Sequence, residues 1–119
     1  MTLLFKQLLI IIISIITISF IASCQTKNTV VKTSFKVYGN CGMCKKTIEG
    51  SLADVKGIQS KDWNKKSKIL SIAYDSTEIK MAEIHKLIAA SGYDTELVKG
   101  NDEAYSNLHE CCHYDRAKY

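Results

Sequence analysis

The chain has 119 residues, 46% hydrophobic and 24% charged, with a net charge of +4. That is room for one domain, and the balance excludes a disordered chain and a polytopic membrane protein. The lysines (Lys45, Lys46, Lys65, Lys66, Lys68) are scattered with acids between them, and no basic run is interleaved with aromatic residues, so no nucleic-acid partner is expected.

Met1 to Gln7 carries one positive side chain, Lys6, and is followed by an apolar stretch from Leu8 to Ala22 broken only by Ser14, Thr17 and Ser19. This is a signal-peptide pattern, shorter than the roughly 20 apolar residues of a spanning helix. Ile21-Ala22-Ser23-Cys24 resembles the bacterial lipobox, in which small residues precede a cysteine that is lipidated and becomes the first residue of the mature chain. The resemblance implies a lipoprotein signal peptide at 1–23 and lipidation of Cys24. It also implies a lipid-anchored membrane location at the cell envelope, on the periplasmic side. An uncleaved anchor and plain secretion are the alternatives. Residues 24–32 are polar with little periodicity and read as a tether. Of the five cysteines, setting Cys24 aside leaves Cys41, Cys44, Cys111 and Cys112 as two close pairs.

From Thr33 to Tyr38 the pattern alternates as in a strand, and it runs into the glycine-punctuated loop Gly39-Asn40-Cys41-Gly42-Met43-Cys44. From Cys44 a helical stripe of Ile48, Leu52 and Val55 stops at Gly57. Ile58 to Trp63 and Lys68 to Tyr74 read as a hairpin around Asn64-Lys65-Lys66-Ser67, with Leu70, Ile72 and Tyr74 as its bulky buried set. Asp75-Ser76-Thr77-Glu78 signals a second helix, whose stripe is Met81, Ile84, Leu87, Ile88 and Ser91 and whose end is Gly92. Thr95 to Val98 supplies a last short strand. The order βαββαβ closes as two helices on one face of an antiparallel sheet. His85 falls off the stripe and is expected at the surface, while Met81, Trp63 and Tyr74 are expected to pack.

A βαββαβ unit with Cys-x-x-Cys between its first strand and first helix resembles the heavy-metal-associated domain family. Copper chaperones, the N-terminal modules of metal-exporting ATPases and periplasmic mercury-binding proteins belong to it. The resemblance covers 33–99 and rests on the cysteine spacing, the element order and the Gly92-Tyr93 step. It implies an α+β, ferredoxin-like sandwich with a four-stranded antiparallel sheet, followed here by a Cys/His-containing tail at 100–119. The family usually has Met-x-Cys-x-x-Cys; here position 39 is Gly39, and Met43 lies between the cysteines. Tyr93 is implied to lie at the cysteine end, either as a shield for an ion or as an ordinary rim aromatic.

Closely spaced thiolates suit soft ions, and two sulfurs leave the ion approachable for transfer. Cys44 is expected near a helix start, where free backbone N–H groups favour a thiolate, with Lys45 and Lys46 adding positive charge. The expected cargo at Cys41 and Cys44 is copper(I), with mercury(II) or zinc as other candidates. It would serve metal trafficking or detoxification and be exchanged with a transporter or chaperone by stepwise sulfur exchange, without an enzymatic step. The alternatives are periplasmic thiol–disulfide redox, against which stands the absence of any proline, and a disulfide-braced interaction module.

In the tail, Asn101 is expected to cap a helix with Asp102 and Glu103 in its first turn, and Tyr105, Leu108 and Cys112 share a face. His109, Cys111, Cys112 and His113 are possible additional metal ligands. In the family topology the last strand ends opposite the cysteine loop. About eleven residues span about 36 Å extended but about 16 Å as a helix, so the tail can share a site with Cys41 and Cys44 only if partly extended. A separate second site is equally open.

Overall fold

A computed structural model describes residues 1–18 and 29–119. Cys24 and its lipobox lie outside the described residues. The apolar N-terminal stretch forms α1 (Thr2–Ile18), and no helix among the described residues is long and apolar enough to cross a membrane.

The domain is built on β1 (Val30–Lys36), α2 (Gly42–Gly50), β2 (Ile58–Trp63), β3 (Ile69–Asp75) and α3 (Met81–Ala90). The three strands form an antiparallel sheet in the order β1-β3-β2, with Phe35 opposite Leu70 and Trp63 opposite Leu70 on its other side. The hairpin turns because the Asn64 side chain accepts from the Lys66 and Ser67 N–H groups, and Lys68 takes a positive φ of 62°. Ile48 of α2 and Ile84 and Ile88 of α3 meet Phe35, Leu70, Ile72 and Trp63 in one core. Burying a side chain of that size contributes about 1.5–3 kcal/mol. Trp63 is fully buried, and its indole N–H is satisfied by the Val37 carbonyl at 3.0 Å.

Four local expectations change. The strand begins at Val30, not Thr33, because β3 runs to Asp75 and its unpaired end is met by Val30, Val31 and Lys32, which the sequence assigned to the tether. The first helix starts at Gly42, with Leu52 and Val55 packing from the turns beyond it. The second starts at Met81, since Asp75 closes a turn of its own on the Thr77 N–H rather than capping the helix. His85 is buried, 1% exposed, rather than at the surface. Its ring packs on Phe35 at 4.0 Å between centroids, and Nδ1 lies 2.7 Å from the Thr95 hydroxyl. The apolar face of α3 is wide enough to include 85 and 89 beside 84 and 88.

The fourth strand is reduced to a short edge. Tyr38 N–H donates to the Asp94 carbonyl and Glu96 N–H to the Lys36 carbonyl, around a single bridge between Val37 and Thr95. Thr95 then ends the strand, because its hydroxyl accepts from the Leu97 and Val98 N–H groups and its own N–H donates to the Val98 carbonyl. The chain reverses at once and Gly100 lies against the backbone of Tyr93, so close that a Cβ there would meet Tyr93 C at 2.8 Å. The long return implied by a full last strand is therefore not needed.

Candidate metal centre

Cys41 and Cys44 occupy the turn from β1 into α2. Cys41 is the N-cap, with extended backbone (φ −139°, ψ 178°), and Cys44 is buried one turn later. Their sulfurs lie 3.4 Å apart, and the Asn40 N–H donates to the Cys44 sulfur at 3.3 Å. Trp63 explains Gly39: its ring fills the space beside that backbone, so that a Cβ at 39 would stand 3.0 Å from Cζ2 and 3.2 Å from the Cys44 Cβ.

Cys41 is held as the favoured thiolate. Burial raises its pKa, but the Cys44 backbone N–H and the thiols of Cys44, Cys111 and Cys112 together outweigh it and bring Cys41 down to about 6. A sulfur over a helix N-terminus faces the positive end of the peptide dipoles. Lys45 does not add its charge there, because its ammonium is held by Glu49, Asp62 and the Trp63 carbonyl.

The tail comes back to the same place. Asn101 caps α4 (Asp102–Ser106) by accepting from the Ala104 N–H at 2.8 Å. After an irregular stretch a single 3-10 turn, Glu110–Cys112, follows, its entry capped by His109. That turn brings the Cys111 and Cys112 sulfurs to 3.5 and 3.6 Å from Cys41 and 3.9 Å from each other. Among the described residues these four cysteines are free thiols. Burial pushes the Cys112 thiol up to about 12, and hydrogen bonding with Cys41 raises Cys111. Met43 joins the rim, its sulfur 3.6 Å from that of Cys111.

The two tail histidines stay outside this group. His109 is exposed and its ring faces the Cys111 N–H, while exposed His113 packs on Tyr105 at 5.1 Å. Tyr93 is neither a rim residue nor exposed. It is fully buried, its hydroxyl has no hydrogen-bond partner, and burial followed by the neighbouring Cys112 and Cys44 thiols raises its pKa.

The residues that hold the tail escaped the sequence reading. Asp94 is fully buried; its carboxylate receives Arg116 and the Gly100 and Ala117 N–H groups. Tyr114 accepts from the Asp94 N–H at 2.7 Å, donates to the Gly92 carbonyl at 2.9 Å and stacks on Tyr93. Asn40, next to Cys41, donates to the His113 carbonyl at 3.0 Å. Only the presence of one arginine in the whole chain, close after the cysteines, could have drawn attention to this clasp.

Comparison with known proteins places this architecture. The copper chaperone CopZ of Staphylococcus aureus is 31% identical over 55 residues, covering 46% of this chain and 81% of that protein. The solved structure of a CopZ metallochaperone superposes with a TM-score of 0.53 at 29% identity, covering 55% of this chain and 98% of that one. The putative copper-ion-binding protein of Bacillus anthracis shares the fold, with a TM-score of 0.55 at 24% identity over 59% of this chain and all of its own. The heavy-metal-associated domain is matched over residues 35–94, a span that starts in β1, takes in both cysteines of the helix entry and ends at the carboxylate that holds the tail; the chain belongs to that family.

Proposed function

We propose that this protein carries copper(I) at the cell envelope, held by Cys41 and Cys44 and passed by thiolate exchange to a transporter or another chaperone. The observation that carries the reading is the pair of sulfurs 3.4 Å apart at the N-terminus of α2, in a domain whose relative in Staphylococcus aureus is named a copper chaperone. Two thiolates satisfy a soft ion and leave room for an incoming sulfur. Each exchange forms one metal–sulfur bond as another breaks, so the transfer uses no catalytic base. The envelope location rests on the sequence from Leu8 to Cys24, with lipidation at Cys24 as anchor.

The test is anaerobic titration of the reduced protein with copper(I), zinc and mercury(II), repeated with Cys41→Ser/Cys44→Ser. Tight copper(I) binding that the double substitution abolishes supports the reading. Equal binding by both proteins overturns the site, and preference for another ion overturns the cargo. Metabolic labelling with a fatty acid, compared with Cys24→Ser, tests the anchor.

A further inference from the structure

We propose that Cys111 and Cys112 of the tail complete the site begun by Cys41 and Cys44, so that a soft ion is enclosed by at least three thiolates of one chain while the tail is docked. The inference rests on the metal-binding reading above and adds to it which sulfurs take part and what controls access to the ion.

The geometry is that of a built site. Cys41, Cys111 and Cys112 present sulfurs within 4.8 Å of one another, and Cys44 meets them through Cys41. A triangle with edges of 3.5, 3.6 and 3.9 Å has its centre about 2.1 Å from each corner (mean edge divided by √3), close to the about 2.3 Å of a zinc–thiolate bond. Adjacent cysteines in an extended chain point to opposite sides. Here the 3-10 turn at Glu110–Cys112 turns both toward Cys41.

Tyr93 gives an independent sign. A fully buried hydroxyl without a partner is costly, and this one belongs to the same buried cluster as Cys44 and Cys112. A metal-bound thiolate is a strong acceptor, so loading the site supplies the partner that the hydroxyl lacks.

The tail is fastened just beyond its cysteines. Asn40 holds the His113 carbonyl, Tyr114 bridges Gly92 and Asp94, and Arg116 pairs with Asp94. Docked, the tail covers the position through which an exchanging thiol would approach; released, it leaves the two-sulfur site open. The tail therefore favours retention of the ion, and its release favours transfer.

The experiment uses the full chain in detergent, reduced and anaerobic, with Cys24→Ser in every sample so that only four thiols remain. One equivalent of copper(I) is added. X-ray absorption then counts sulfurs per copper, and competition with a copper(I) chelator gives affinity. The expected result is three or more sulfurs for the four-thiol chain and two for Cys111→Ser/Cys112→Ser, with affinity lower by about a hundredfold because an intramolecular contribution is lost. Arg116→Ala keeps every cysteine and is expected to lower the sulfur count and speed copper loss to the chelator, which separates tail docking from any misfolding caused by the serines. Two sulfurs in the four-thiol chain, or equal count and affinity after Cys111→Ser/Cys112→Ser, overturns the inference and leaves the Cys41–Cys44 reading intact. Failure of the four-thiol chain to bind copper(I) overturns both.

Discussion

The Arg116 guanidinium grips a carboxylate that has no exposure to solvent: its Nε lies 3.0 Å from both oxygens of Asp94. This pair joins the last residues of the chain to the edge of the sheet beside β1. Removing the arginine leaves a buried charge with only the Gly100 and Ala117 N–H groups as partners. Arg116→Ala is expected to destabilise the reduced apo protein by about 3 kcal/mol, read from urea unfolding. Hydrogen exchange should show its largest gain in residues 101–119. Unchanged protection of those amides would mean that the tail is held by its aromatic residues alone.

The buried His85 predicts an acid-sensitive core. Burial lowers its pKa in the folded state below the usual 6.5, with Glu96 opposing weakly. The unfolded chain then binds the proton more readily. The stability that neutral His85 provides is complete above about pH 6.5 and falls as the pH drops through the range between the unfolded and folded values. Urea midpoints measured from pH 7.5 to 5 should decline for the wild type. They should decline less for His85→Gln, which removes the titrating ring while retaining a polar group toward Thr95.

Gly39 should not accept a side chain while Trp63 is present. With a Cβ 3.0 to 3.2 Å from the indole and from Cys44, Gly39→Ala is expected to cost about 1–3 kcal/mol by overpacking, and Gly39→Met more. Combining Gly39→Met with Trp63→Leu should recover part of the loss. Unfolding followed by circular dichroism compares all the variants, and additive losses in the double variant would show that the two positions do not share this space.

Cys41 should react before Cys111 and Cys112 in the absence of metal. Its pKa of about 6 stands against about 12 for Cys112, and the thiolate is the reacting form. Alkylation with iodoacetamide, mapped by mass spectrometry, should label Cys41 ahead of Cys111 and Cys112, with a midpoint near pH 6. Equal rates at Cys41, Cys111 and Cys112 at pH 7 would contradict the arrangement of N–H and thiol donors around Cys41.

Much of the domain could be read from side-chain spacing because that spacing follows from backbone geometry. The alternation of Leu70, Ile72 and Tyr74 and the three-and-four spacing of Ile84 and Ile88 are set within one element, and those residues are buried as they imply. The Cys-x-x-Cys spacing between a strand and a helix likewise placed Cys41 and Cys44 at one turn. Element ends were harder to read, since they depend on partners: Val30 to Lys32 became strand because β3 extends that far.

What tertiary structure decided was which distant residues meet. His85 is buried where Phe35 of β1 and the Thr95 hydroxyl meet its ring. Gly39 stands where it does because Trp63, from another strand, fills the space beside it. Above all, the sequence by itself determined two cysteine pairs and a suitable chemistry for each, but not that they form one group. That depended on the Thr95 turn ending the last strand after one bridge and on Asp94 capturing Arg116. A local hydrogen bond reversed the chain and a buried charge demanded a partner, and together they set Cys111 and Cys112 against Cys41.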